Sequence, residues 1–273
     1  MKKNILITIL GLASLVCAFS SCSSEDGVTT GDNKTIAEKL KGKWMCTIVD
    51  DRRSVTNYNY VLTFVSPTKA YRSFSPSLNM GLEGLWENQA EYDVKIDGTV
   101  TLTGHNYPDL TTESVYQVVS INQTDMVLMA HHKIIYKGKQ ISVPEHKAEH
   151  FKKVTKDYSQ DVIGTWEGKM TSLESVHDDG QVHRWEYKSD GTYVYYMPDG
   201  EGQWVKSDDV YADYFVDGVL LCCRWKNNGE GKEEQREWWE IESIQNGVMK
   251  WTAVRRRDDG STYTASFQMV KVK

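Results

Sequence analysis

Positive charge gathered on one face is missing from this sequence, as are long apolar runs beyond its first residues and any surplus of cysteine. The chain carries 32 Lys and Arg against 38 Asp and Glu, a net charge of −6. Its one compact basic run, Arg255 to Arg257, is followed at once by Asp258 and Asp259. A protein that neutralises nucleic-acid phosphates needs a clustered basic surface, so no nucleic-acid partner is expected, and the run reads as a solvated hairpin end. After the N-terminal stretch no segment approaches the ~20 apolar residues of a membrane-spanning helix. Apart from Cys17 and Cys22, the cysteines are Cys46, Cys222 and Cys223. Three thiols cannot all pair, and two that are adjacent on a strand face opposite ways, so they read as small buried core residues. No G-x-S-x-G elbow, phosphate-binding glycine loop or nucleotide fingerprint occurs, and no cofactor is expected. With 40% hydrophobic and 26% charged residues, the composition is that of a globular protein.

The N-terminus has a plan of its own. Lys2 and Lys3 precede an apolar stretch from Ile5 to Val16, and the small-residue approach Ala18-Phe19-Ser20-Ser21 leads to Cys22. This is the layout of a secretory signal. The segment Phe19-Ser20-Ser21-Cys22 resembles a bacterial lipobox, although most lipoboxes have Leu, Val or Ile where Phe19 stands; lipoproteins of the Bacteroidetes are looser there. The resemblance implies that residues 1–21 are removed, taking the charge to −8 by loss of the two lysines, and that Cys22 carries an acyl anchor such as palmitate. The alternative is ordinary signal cleavage nearby with Cys22 left free. Ser23-Ser24-Glu25-Asp26 resembles the acidic tag that sends such lipoproteins to the outer face of the outer membrane, which implies a cell-envelope and surface-exposed location. Residues 22–34 are polar, small and acidic, and read as a flexible tether.

The remainder divides near Lys156 into two halves that begin and end alike. Leu40-Lys41-Gly42-Lys43-Trp44 opens the first and Val162-Ile163-Gly164-Thr165-Trp166 the second. Val115 to Ile121 aligns with Trp238 to Ile244, and Glu149 to Val154 with Ala265 to Val270, a repeat of domain size. The second half is punctuated by Asp-Gly or Asn-Gly pairs at 179, 190, 199, 217, 228, 246 and 259, which favour tight hairpins. Short Val-, Tyr-, Trp- and Thr-rich runs lie between them, so seven turns separate eight strands. Only Ile36 to Leu40, and the region from Val143 to Lys153, admit a helix. Eight short antiparallel strands must protect their edges, and closure into an up-and-down barrel does so. Each half therefore resembles the lipocalin-like domains of bacterial lipoproteins, in which a short helix leads into a first strand whose glycine and tryptophan plug one end of the barrel. The expectation is all-β: signal peptide 1–21, lipidated tether 22–34, and two tandem antiparallel up-and-down barrels at 35–155 and 158–273, with Gly42, Trp44, Gly164 and Trp166 as the structural Gly-x-Trp pairs.

Several side chains invite chemistry. His146-Lys147-Ala148-Glu149-His150 matches H-x-x-E-H, which binds zinc only when both histidines share one helical face. The matching segment of the second half, Tyr263 to Phe267, reads as a strand, where residues four apart lie about 13 Å from each other, so no metal site is expected. His131 and His132 face opposite ways and read as structural histidines. Glu233-Glu234, Glu240 and Glu242 offer the paired carboxylates of a glycosidase, but alternation on a strand gives such spacing trivially, and Glu240 and Glu242 read as a solvated face opposite Trp239 and Ile241. No catalytic residue is assigned. Seven of the nine tryptophans lie in the second half. They are read in two ways: as a barrel core, or as a binding surface for a small apolar or amphipathic ligand in the barrel mouth, lined by Trp185, Tyr193, Tyr195, Trp204 and Trp239. Exposed aromatics such as one of Trp238 and Trp239 would alternatively recognise a glycan or a partner protein, and hydrolysis is a third reading.

Overall fold

The computed structural model describes residues 33–49, 52–53, 59–75, 86–140, 146–170, 180–257 and 259–272. The expected signal segment, the Cys22 anchor and the tether up to residue 32 lie outside the described residues. Helix α1 (Asn33–Leu40) starts two residues before the expected start of the first domain at 35 and buries Ile36 and Leu40, four apart on one face. The strands β1 (Gly42–Val49), β2 (Arg52–Arg53), β3 (Tyr60–Ser66), β4 (Lys69–Phe74), β5 (Glu87–Ile96), β6 (Val100–Tyr107), β7 (Leu110–Ile121), β8 (Asp125–Tyr136), β9 (Lys139–Gln140) and β10 (Lys147–Lys153) follow. Eight of them form a closed antiparallel barrel in simple meander order, because β10 pairs with both β8 and β1. Residues 147–153 are thus extended rather than helical; 143–145 lie outside the described residues. Their carbonyls and amides complete the barrel, which a helix there would leave with two open edges.

The second sheet repeats the order with β11 (Gly164–Met170), β12 (His183–Tyr187), β13 (Tyr193–Pro198), β14 (Trp204–Lys206), β15 (Asp209–Asp217), β16 (Leu220–Asn227), β17 (Gln235–Gln245), β18 (Val248–Arg256) and β19 (Thr262–Lys271). Its last strand again pairs with its first, but the meander stays open between β14 and β15. The cause is β14: it occupies the edge of β13 that, in the first barrel, the corresponding strand β4 offers to β5. The sheet still curls until its ends meet at one level, where Thr192 and Asp213 form a bridge and the Tyr214 amide donates to the Gly191 carbonyl at 2.7 Å. The second half is therefore a curled, laterally open sheet beside a closed barrel.

The Gly-x-Trp pairs do the same work in both. Gly42 and Gly164 sit at φ +110° and +133°, a conformation that a Cβ makes costly, and this turn drops the following tryptophan into the sheet's interior. Trp44 and Trp166 are fully buried, and each donates its Nε1 hydrogen to the carbonyl four residues earlier, Leu40 and Val162, at 2.7 Å. Lys153 and Lys271 lie over the respective indole rings at 4.1 and 5.1 Å. Those lysines also correct the sequence alignment of the final strands. Trp44 pairs with Lys153 and Trp166 with Lys271, so Phe151 corresponds to Met269 and Glu149 to Phe267, two residues away from the match on Phe151 and Phe267. A shift of two keeps every side chain on its face, so the alternating pattern could not reveal it. The alignment of Tyr116 with Trp239 agrees with the register on both sheets.

The outer face of β15, β16 and β17 packs on the outer face of β1, β3 and β4. Met45 and Val61 of the barrel join one buried cluster with Phe215, Leu220, Cys222 and Trp238. Trp86 meets Phe215 edge-on, with ring centroids 4.9 Å apart, and the Arg224 guanidinium lies 4.9 Å from the same indole. At the tip of the β15–β16 hairpin, buried Asp217 accepts from the Lys43 ammonium and from the Ser73 hydroxyl at 2.6 Å. Cys222 thus points into this interface and Cys223 into the second interior; with Cys46 they are free, buried thiols. Truncating Trp86 to alanine is expected to cost about 3 kcal/mol in a urea denaturation series, since it removes an aromatic partner and the ring that two guanidinia face.

Candidate functional site

The interior of the closed barrel is polar at its middle and satisfies itself. Glu149, fully buried on β10, accepts from the Tyr60 hydroxyl and lies 2.8 Å from Nε2 of His132, whose Nδ1 is 2.8 Å from the Ser114 hydroxyl. Tyr60 and Tyr116 share a hydrogen bond of 3.2 Å. Arg72 donates to Glu87 at 2.6 Å, Glu87 accepts from Tyr92, and Tyr92 meets Thr112. Burial and then the Glu149 charge push the Tyr60 hydroxyl well above its ordinary pKa, which keeps it a donor. Glu149→Ala is expected to destabilise the protein by about 1–3 kcal/mol in thermal or urea unfolding, because His132 Nε2 loses its partner and the Tyr60 hydroxyl keeps only the longer contact to Tyr116.

The H-x-x-E-H segment is consequently a strand with its parts on different sides. Glu149 faces inward, whereas His146 and His150 lie on the other face, and His146 stacks obliquely on His131 with ring centroids 4.7 Å apart. His132 points inward and His131 outward, as adjacency on a strand requires. A groove of about 660 Å³ lies beside α1 at the tryptophan-sealed end of the barrel, lined by Ala37, Phe64, Val65, Pro67, Val94 and Ile96.

The inner face of the second sheet is aromatic instead. Register places Trp166, Trp185 and Tyr195 opposite one another across β11, β12 and β13, and Ile241, Trp251 and Phe267 across β17, β18 and β19. Trp185 contacts Trp251 and Phe267 at centroid distances of 5.6 and 5.4 Å, both edge-on. Trp239 stacks nearly parallel on Trp251 at 5.3 Å and 17°. Tyr187, Tyr193 and Tyr214 continue the cluster toward the level where the sheet's ends meet. Burial raises the Tyr214 hydroxyl to about 12, so all three tyrosines stay protonated donors at neutral pH.

Of the five residues expected to line a pocket, Trp185, Tyr193, Tyr195 and Trp239 share this inner face. Trp204 does not: it pairs with Pro198 on the opposite face and lies 4.2 Å from the Arg184 guanidinium. Sequence reading missed Trp251, Phe267 and His183 as members of the same wall; His183 Nδ1 is 2.6 Å from the Tyr195 hydroxyl. It also missed Arg255, which lies 4.4 Å from the Trp239 ring where the β17–β18 ladder has ended at Glu240 and Thr252. The signal available was alternation: 251, 253 and 255 must share a face. Trp238, the expected outward aromatic, faces outward into the interface with the barrel, so it is no exposed platform.

Three indole hydrogens stand out. Nε1 of Trp239 and of Trp251 on the inner face, and of Trp238 in the interface with the barrel, are buried without a hydrogen-bond partner among the described residues. Buried donors of this kind are rare in native interiors, where water or a bound group commonly answers them.

Fold and interior together define an all-β protein with a closed antiparallel meander barrel and a curled, barrel-like sheet in tandem. No protein family matches the sequence and no curated protein matches it. Among solved structures the chain is similar to a crystal structure of transferrin binding protein B, a vaccine antigen of Haemophilus parasuis Hp5, determined as a double mutant. The identity is 11% and the TM-score 0.25, over 80% of this chain and 54% of that one. The chain thus spans about half the length of that protein.

Proposed function

We propose that the chain is a lipid-anchored, lipocalin-like binding protein of the cell envelope, held to the outer membrane through Cys22, whose second sheet takes a small apolar or amphipathic ligand. The observation that carries this reading is the pair of partnerless indole hydrogens on Trp239 and Trp251, set in an aromatic wall beside a sheet that does not close. A wall of half-buried and buried rings gives large apolar area at small entropic cost, and a few convergent donors orient what it holds. The open seam between β13 and β15 supplies the way in. It lies beside Tyr195, which remains half-buried with Trp185 and Trp225. The first barrel, whose interior polar groups answer one another, serves as a rigid support through the Asp217 interface. Recognition of a glycan by outward rings has less in its favour, because Trp238 is occupied and Trp204 is covered on one side by Arg184.

Intrinsic tryptophan fluorescence of the full-length protein tests this. Titration with a medium-chain amphiphile such as decan-1-ol or decanoate is expected to shift or quench the emission saturably, and a soluble oligosaccharide is expected to leave it unchanged. A silent titration with both amphiphiles would contradict the reading.

A further inference from the structure

The register that relates the two sheets shows what became of the first barrel's ion pair. Counting along paired strands, Trp251 stands where Leu128 does, Ala253 where Ala130 does, and Arg255 where His132 does. In the barrel, His132 is answered by Glu149. In the second sheet the residue at Glu149's place is Phe267, so the cation has kept its position and lost its acid. Glu237, at the place of Ser114, approaches Arg255 but stops at 3.9 Å, beyond hydrogen-bonding distance. Among the described residues, the hydrogen bonds that the guanidinium makes go to main-chain carbonyls, Trp238 at 2.8 Å and Val254 at 3.5 Å. Burial, the largest influence on it, holds its pKa below the ordinary arginine value against the opposing pull of the Glu237 charge. Its guanidinium lies against Trp239, which is stacked on Trp251, and these are the inner-face members of the three indoles whose N–H groups go unanswered among the described residues, the third being Trp238 in the interface with the barrel.

Arg255 thus lies against Trp239 and Trp239 against Trp251, with Glu237 loosely paired to the guanidinium at 3.9 Å. We propose that Arg255, Trp239 and Trp251 form a subsite for the acidic head group of the ligand, a carboxylate, with its apolar chain laid along Trp185, Tyr195 and Phe267. This rests on the binding role proposed above and names the chemical class that the second sheet selects. A carboxylate accepts from a guanidinium and from N–H groups at once, whereas an alcohol of the same chain length brings no charge and one weak acceptor. Glu237 opposes an incoming anion, which makes its removal informative.

Decanoate and decan-1-ol, each titrated below its aggregation limit into the full-length protein, separate the possibilities. The native protein is expected to bind decanoate at least tenfold more tightly than decan-1-ol. Arg255→Met is expected to abolish that preference while leaving decan-1-ol binding within about twofold, Arg255→Lys to keep part of it, and Glu237→Gln to widen it by several fold. Equal affinity for the two amphiphiles in the native protein overturns the head-group subsite and leaves the binding role standing; binding of neither overturns the binding role itself. Should Arg255→Met lose its near-ultraviolet circular dichroism, the Glu237→Gln arm decides, because it changes the field at Arg255 without touching it: unchanged decanoate affinity there counts against the subsite, as would an unchanged affinity if only an ordered water answers the indoles.

Discussion

Replacing Asp217 with alanine is expected to lower the unfolding free energy by about 3–5 kcal/mol, measured by urea denaturation at neutral pH. The carboxylate is almost fully buried between the barrel and the second sheet, and two groups depend on it: the Lys43 ammonium, whose side chain is 20% exposed, and the Ser73 hydroxyl, which is buried. Its removal leaves Lys43 with Asp157 alone, at 3.1 Å and half-exposed, and leaves Ser73 without that acceptor. Asp217→Asn is expected to fall in between, since the amide oxygen still accepts but brings no charge. The same contact gives a pH signature. Burial acts to lower the Lys43 pKa, yet the hydrogen bonds and charges of Asp217 and Asp157 outweigh it and the net shift is upward. A cation whose folded pKa exceeds its unfolded value contributes fully at pH below the unfolded lysine value near ~10.4, and that contribution fades as pH rises through the folded value. Stability of the native protein is therefore expected to fall in the alkaline range more steeply than that of Lys43→Met, and a parallel decline of the two would count against the assignment.

The second large effect falls on the strand-opening tryptophans. Trp44→Ala and Trp166→Ala are each expected to cost about 3–5 kcal/mol in thermal or urea unfolding, the range for emptying a large buried aromatic site. Each indole is wholly buried at the closed end of its sheet, each donates to a carbonyl four residues back, and each carries a lysine over its ring. Phenylalanine at either position keeps most of the apolar contact and loses the hydrogen bond, so Trp44→Phe and Trp166→Phe are expected to cost about 1–3 kcal/mol, the burial of an unanswered carbonyl. Similar losses at both sites would show that the motif does one job twice; a negligible cost at Trp166 would mean that the second sheet is held by its aromatic wall alone.

What the sequence disclosed follows from which physical rules act locally. Asp-Gly and Asn-Gly pairs fix hairpins within four residues, and Gly42 and Gly164 announce themselves by preceding a tryptophan twice, so strands, meander order and both sealed ends were legible. The extended form of 147–153 was legible only through the repeat, since Lys147 to Lys153 taken alone alternates too weakly to choose. The open seam was not, because it depends on whether Trp204–Lys206 or Asp209–Asp217 takes the free edge of β13, a competition between two distant partners for one row of hydrogen bonds. Nor was the interface: Cys222 and Trp238 had to face away from Cys223 and Trp239, but nothing nearby in the chain says that the far side is another sheet. Four of the five expected pocket residues share a face because alternation is exact over short runs, whereas Trp204 sits in a separate three-residue strand whose phase the flanking turn resets. Arg255 was read only as part of a charged hairpin end, and its inward position became visible once Ala253 and Trp251 were known to be buried beneath it.

Nitrogen-15 correlation spectra of the full-length protein give the most direct test of the account, which holds that the second interior presents unanswered donors to a ligand's acidic group. The nine indole N–H signals can be assigned by single Trp→Phe replacements. On addition of decanoate the Trp239 and Trp251 signals are expected to move downfield, as N–H groups do on gaining an acceptor, while those of Trp44 and Trp166 stay in place. Movement confined to other tryptophans, or none at saturating decanoate, would contradict it.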